Sequence, residues 1–267
     1  MSKDILLTFD IEEFDLPEEY NIPINKEEQL NVTTQGLKSL LILLDKYNIQ
    51  ATFFTTAYYA IKNPDLIKLI SNKHEIASHM YYHSNYETNH IIESKRKLEE
   101  ITGKTIYGFR MPLLKKTDIK LIKDAGYLYD SSINPTYIPS RYNNMFTPRK
   151  LYNDSNNDLF VLPFSVSPLF RIPLFWLSFK NFNFLLYIFL CKQTIRKDNY
   201  LHLYFHPWEF ADLSSFNIPK YIKRYSGANF IKRFDNLLNK LSKEGDFISI
   251  KSFLEKQNLE EIFNDNK

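Results

Sequence analysis

The chain has 267 residues, 44% of them hydrophobic and 16% aromatic, a formal net charge of +3 and one cysteine, Cys191. That length suits a single large α/β domain, residues 1–267, with room for an insertion around 136–199. The modest charge leaves no electrostatic footprint for nucleic acid. One cysteine excludes an internal disulfide or a Cys-rich metal site, and six glycines without G-x-G-x-x-G or a P-loop argue against a phosphate cradle.

The elements alternate. Ile5–Phe9 is strand-like and runs into Asp10-Ile11-Glu12-Glu13-Phe14. Its apolar run is too short for a signal peptide, so a cytoplasmic protein is the default expectation. Leu37, Leu40, Leu41 and Leu44 repeat at helical spacing and predict a helix over 34–48, capped by Thr33 or Thr34. Ala51–Thr55 reads as a buried strand, and Asn63-Pro-Asp starts a short helix. Glu75–Ser78 is a strand leading into His79-Met-Tyr-Tyr-His83. Four positions apart, these two imidazoles would lie on one side of a helical turn and could close on one metal ion. Thr88–Ile101 is a helix ended by Gly103, Ile106–Met111 a strand, and Thr117–Ala125 a helix capped by Thr117. Strands follow at 128–130, 159–164 and 201–206, then an amphipathic helix over 228–243 and a last strand at 247–250. Strands separated by helices predict parallel pairing, in a sheet either open or closed.

Four strands end in residues able to do chemistry: Asp10 with Glu12 and Glu13, His79 with His83, Arg110 before Pro112, and His206 before Pro207-Trp208-Glu209. Each alone has an ordinary explanation, such as a turn-capping Asp, a surface Arg or a core Trp. At successive strand ends they suggest one site lined from several strands. Strand parity puts Glu12 on the same face as Asp10 and Glu13 on the other. Parity does not separate His202 from His206. His74 and His90 fit no role and are expected at the surface.

Thr8-Phe9-Asp10, His79-x-x-x-His83, Arg110-x-Pro112, Tyr129-Asp130-Ser131-Ser132 and Phe205-His206-Pro207 occur in the order found in the polysaccharide deacetylases. The chain therefore resembles that family, carbohydrate esterase family four, in its Phe-Asp-x-Glu and His-Pro-Trp-Glu branch. Two departures stand out. Ile11 replaces the second of the two adjacent Asp residues common in the family, and the final Leu-His could be Leu201-His202 or Phe205-His206. The Asp-x-Asp variant of the first motif favours Glu12 as metal ligand, and Pro-Trp-Glu after His206 favours His206.

The resemblance implies a distorted, incomplete (β/α) barrel of about seven parallel strands. It also implies a hydrolase removing an N-acyl group, N-acetyl first, from an amino sugar or glycan precursor. One divalent ion would be held by Glu12, His79 and His83, a set that suits zinc, with cobalt, manganese or nickel as alternatives. Asp10 would be the base and Arg110 would orient it. His206 would be the acid, with Asp130 on its other nitrogen. The backbone N–H of Leu113 would help hold the oxyanion, and Trp208 would meet the sugar. The alternatives are a relative cleaving a non-sugar C–N bond or deformylating a lipid-linked amino sugar, and an inactive carbohydrate-binding protein. The sequence does not set the oligomeric state.

Residues 159–191 are dense in Leu, Phe, Ile and Trp, yet Arg171, Lys180 and Asn183 interrupt them, so no transmembrane segment is expected. The stretch could pack as core. The sharper expectation is an apolar rim at the inner membrane face, with Trp176 and Phe179 open to solvent. Arg171 and Lys180 would then meet anionic head groups or the phosphates of a lipid-linked substrate.

Overall fold

The computed structural model describes residues 3–257. In chain order, the first half is β1 (Asp4–Ile11), α1 (Lys26–Lys46), β2 (Thr52–Thr55), α2 (Ala57–Lys62), α3 (Pro64–Ser71), β3 (Glu75–Ser78), α4 (His90–Thr102), β4 (Gly108–Phe109), α5 (Ile119–Asp124) and β5 (Tyr129–Asp130). The second half is the hairpin β6 (Tyr137–Ile138) and β7 (Tyr142–Asn143), then β8 (Tyr152–Asp154), β9 (Leu159–Val161), α6 (Trp176–Asn181), α7 (Phe184–Asp198), β10 (Tyr200–Phe205), α8 (Lys220–Lys223), α9 (Ala228–Leu241), β11 (Asp246–Ile248) and α10 (Ile250–Lys256).

The main sheet runs β10-β1-β2-β3-β4-β5-β9-β8, with β11 also paired to β1, and it curls into an open half-barrel. Every pairing in it is parallel except β8 with β9, where a hairpin adds an antiparallel edge strand. The incomplete (β/α) barrel is therefore present, with the edge hairpin and the short β11 beyond the seven strands expected. Every residue of β1 and β10 is buried, as strands covered on both faces require. Phe9 anchors the core, stacked on Phe53 at 5.2 Å between ring centroids and near Phe205 and Phe234.

Register brings the chemistry to one edge. Phe9 lies opposite Phe205, Ile11 opposite Thr55, Thr55 opposite Ser78, Ser78 opposite Phe109, and Phe109 opposite Asp130. The residues at or just past these pairs, Asp10, Glu12, His79, Arg110, Ser131 and His206, therefore emerge together at the carboxyl edge of the sheet. α1 closes against the segment after β10 through Gly36, where a Cβ would sit 1.9 Å from the Pro207 carbonyl oxygen. Only glycine permits that approach.

Several local expectations change. α1 begins eight residues before the expected Thr34, because Asn25 accepts from the Glu28 N–H as its cap. Thr33 instead donates to the Glu12 carbonyl at 2.7 Å, tying α1 to the first motif. Asp118, not Thr117, caps α5. His74 is buried: its Nδ1 accepts from the Ala51 N–H and its ring packs edge-on to Phe53, while burial pushes its pKa down to about 4.

The rim expectation fails where it was most specific. Trp176 is 9% exposed and Phe179 0%. Lys180 is fully buried, and Arg171 donates inward to the carbonyls of Pro135 and Thr147. Trp176 and Phe179 pack as core because the aromatic rings close over β10 and α9, where Phe179 meets Phe205, Phe230 and Phe234, while Leu169, Phe170, Leu185, Leu186 and Phe189 of the same stretch stay exposed. Among the described residues no helix is long and apolar enough to cross a membrane.

Candidate active site

His79 and His83 share a face, but not by a helical turn. β3 stops at Ser78, and residues 79–89 form no helix. Met80 turns the chain with φ 65°, a left-handed backbone rare for a residue with a side chain. The carbonyls of Met80 and Tyr81 accept the Ala57 and Tyr58 N–H groups, which α2 leaves without partners at its start. Two hydrogen bonds from α2 thus pin the loop, and the imidazoles stack with centroids 5.8 Å apart.

Their inner nitrogens converge on one atom. His79 Nε2 and His83 Nε2 each lie 3.1 Å from Glu12 Oε2. Their outer nitrogens are committed: His79 Nδ1–H donates to the Arg110 carbonyl at 2.9 Å and His83 Nδ1–H to Asp15 Oδ1 at 2.7 Å. With both Nδ1 atoms protonated, two neutral rings would aim lone pairs at a carboxylate, so the geometry calls for a cation between them. Without an ion, a proton must serve. Burial disfavours charge on His83, but the Glu12 carboxylate and the Asp15 hydrogen bond raise its pKa to about 10. Burial likewise opposes ionisation of Glu12, yet the charges of His83 and His206 and the hydrogen bond from His79 hold its carboxyl far below the usual range. Glu12, His79 and His83 form a buried cluster whose ligand atoms could hold a metal ion. The donor set fits a borderline divalent cation.

Glu13 takes no part in the cluster: its carboxylate accepts from Thr56 at 2.7 Å, and burial raises its pKa. Glu12 Oε1 accepts from Trp208 Nε1–H at 3.1 Å. Trp208 is buried, so it braces the carboxylate from behind as well as lining the cavity.

Asp10 is bound by Arg110 Nη1. Arg110 is fully buried, and its other donors reach Thr8 Oγ1 at 2.9 Å, the Ser131 carbonyl at 3.1 Å and Ser131 Oγ at 3.1 Å. The guanidinium stacks between Phe54 and Phe164, at 3.7 and 4.5 Å from their ring centroids. His202 sits behind it with Nε2 3.3 Å from Arg110 Nη2, and burial together with the Arg110 charge pushes its pKa well down. His202 therefore belongs to the support of Arg110, while His206 faces the cavity.

His206 Nε2 is 3.9 Å from both Asp10 Oδ2 and Glu12 Oε1. Burial disfavours its charge, but Glu12 and Glu209 raise its pKa. Asp130 does not reach it. The Asp130 carboxylate accepts from Ser132 and lines a neighbouring cavity with Ile133 and Asn144, and burial raises its pKa to about 6. The expected Asp130–His206 pair is thus corrected: His206 Nδ1 lies 3.2 Å from Glu209 Oε1. Glu209 stands three residues after His206 in the same short turn, closer than any side chain on β5. Asp15 and Glu209 were missed as partners, although both stand in the motif stretches, one three residues past Glu12 and the other within Pro-Trp-Glu. Lys180 was misread as a surface charge.

These residues open on a cavity of about 280 Å³, also lined by Leu113, Tyr142, Trp176 and Tyr204. Leu113 has a left-handed backbone at φ 56°, directly after Pro112. The cavity is apolar on the Trp176–Leu177 side and charged on the Asp10–Glu12 side.

Residues 1–129 match the family described as polysaccharide deacetylase, a span holding the first motif, the two histidines and Arg110. That span is just under half of the chain, and over it the sequence is similar to the polysaccharide deacetylase family. The fold of the chain is similar to that of a Mycobacterium smegmatis structure described as a polysaccharide deacetylase. The two share 18% identity with a TM-score of 0.64, over 98% of this chain and 92% of that one. An allantoinase structure matches with a TM-score of 0.65 at 16% identity, over 93% of this chain and 88% of that one. A pseudoenzyme of carbohydrate esterase family four from Bacillus anthracis matches with a TM-score of 0.54 at 14% identity, over 95% of this chain and 66% of that one. Among curated proteins the sequence has no significant match.

Proposed function

We propose that this protein hydrolyses the N-acyl amide, N-acetyl first, of an amino sugar or glycan precursor. Glu12, His79 and His83 hold one divalent ion for it, zinc by preference. The observation that carries this reading is the convergence of two imidazole Nε2 atoms on one carboxylate oxygen, each 3.1 Å away, with both Nδ1–H groups already spent. An ion there supplies Lewis acidity for the acyl carbonyl and lowers the pKa of a nearby water.

The chain's own groups complete the chemistry. Asp10, oriented by Arg110, takes the proton of the attacking water. The oxygen adds to the acyl carbon, and the Leu113 N–H steadies the negative charge that develops on the carbonyl oxygen. His206, opposite Asp10, gives its Nε2 proton to the nitrogen as the C–N bond breaks, leaving a carboxylate and an amine. The cavity's apolar Trp176–Leu177 side suits a sugar face. A lipid-linked carrier has lost its motive with the burial of Trp176, Phe179 and Lys180.

Acetate or formate release from a panel of N-acylated amino sugars and short oligosaccharides, by zinc-loaded protein, tests the reading. Release that requires the ion is expected. A zinc-loaded protein that cleaves none of the panel would overturn the reading.

A further inference from the structure

Lys180 is the buried cation that the site's chemistry leaves unused. It sits in α6 with no solvent exposure, 3.2 Å from Glu209 Oε2. Its ammonium donates to the Ile222 carbonyl at 2.7 Å, so it meets Glu209 Oε2 as an ion pair without a hydrogen bond, and it lies within 5.5 Å of the ring centroids of Trp176, Trp208 and Phe230. The other oxygen of Glu209 accepts the His206 backbone N–H at 2.8 Å and faces His206 Nδ1 at 3.2 Å. The two carboxylate oxygens are therefore divided, one on the lysine and one on the histidine. His206 is further held between rings, stacked on Trp208 at 4.7 Å and edge-on to Trp176 at 5.2 Å.

Taking both charges of an ion pair out of water is expensive, and well-packed apolar side chains often serve stability as well or better. A Lys–Glu pair kept in an aromatic pocket behind a cavity-facing histidine therefore points to a task besides stability. Glu209 also does what the sequence assigned to Asp130, from a position where its second oxygen can be locked.

We propose that Glu209 and Lys180 are positioning residues for His206. The Lys180 ammonium fixes the Glu209 carboxylate, which accepts the Nδ1–H of His206 and so keeps Nε2 turned into the cavity as proton donor to the leaving nitrogen. This rests on the deacetylase reading given above. In the step concerned, the electron pair of the breaking C–N bond stays on nitrogen while the Nε2 proton moves to it, and the imidazolium becomes neutral imidazole. Such a donor matters for an amine leaving group and hardly at all for 4-nitrophenolate, which departs without a proton.

The test compares two substrates on one zinc-loaded sample: an N-acetylated amino sugar and 4-nitrophenyl acetate. Glu209→Gln and Lys180→Met are each expected to lower kcat on the amide by roughly 10²-fold. The ester rate should change by no more than a few-fold with one ion still bound, and Lys180→Arg should recover most of the amide rate. Amide and ester rates falling together would overturn the proposal, since that is what a purely structural pair would do. If Lys180→Met does not fold, Lys180→Met/Glu209→Gln, which strands no buried charge, takes its place. Nitrogen NMR of the wild-type histidines provides a separate arm: His206 should carry a slowly exchanging Nδ1–H, and a ring protonated only at Nε2 would contradict the proposal. A wild-type protein that binds zinc and cleaves the ester but no amide would refute the deacetylase reading, leaving the NMR arm to decide the positioning.

Discussion

Glu75 and Glu12 stand at opposite edges of the same sheet and meet opposite surroundings. Glu75, partly buried at the amino edge, accepts from Thr52 at 2.7 Å, Tyr129 at 2.8 Å and the Lys251 N–H at 2.9 Å. Every partner is a donor with a proton to give, and burial raises the pKa of the carboxyl. Glu12, at the carboxyl edge, meets the Trp208 N–H on one oxygen and two imidazole nitrogens on the other. The first carboxyl staples β2, β3, β5 and α10 with nothing left to bind. The second faces two imidazoles with which it could hold a cation. A buried acid marks a site when its partners cannot satisfy it alone.

The largest effect should follow from breaking the Glu12 side. Glu12→Ala or His79→Ala is expected to abolish stoichiometric zinc binding and nearly all turnover, read by metal analysis and acetate release. Glu13→Ala should leave the ion bound, since its carboxylate serves Thr56. Asp10→Asn sharpens the contrast further: the ion should stay while kcat falls about 10²–10⁴-fold, because only the proton acceptor is lost.

On the satisfied side the effect should be on stability alone. Glu75→Ala strands two hydroxyls and an amide N–H, which costs roughly 1–3 kcal/mol in denaturant unfolding. Zinc stoichiometry should not change. Loss of zinc in this variant would mean the two edges are not independent.

The smallest effect concerns Asp130, which lies near the site without joining its ion pairs. Its folded pKa of about 6 lies above the ordinary 3.8, so the folded state holds a proton that the unfolded state has released. Stability from this group is therefore present below about 3.8 and declines as pH rises through about 6. Asp130→Asn should flatten the stability profile between these values while leaving zinc binding intact, as thermal unfolding across that range would read.

The sequence was most legible where chemistry and strand ends coincide. Asp10, Glu12, Arg110 and His206 follow apolar runs, and strand parity together with the Asp-x-Asp variant of the first motif favoured Glu12 over Glu13. It was least legible where the partner comes from elsewhere in space. The His79–His83 spacing suggested a helix, but Met80 and the start of α2 build the turn instead. Asp130 looked like the partner of His206 because motif order says nothing about which carboxylate is nearer. Lys180 carries the same letter whether it faces a lipid head group or Glu209, and only the packing of α6 against α8 and β10 decides. Asn25 was passed over as a helix cap because the leucine pattern that marks α1 begins a dozen residues later.

The most direct test is a calorimetric titration of metal-free protein with zinc, with acetate release followed on the same samples. The account predicts one ion per chain, activity that returns in proportion to the ion bound, and neither in Glu12→Ala. Full activity in the metal-free protein, or unchanged zinc binding in Glu12→Ala, would contradict it.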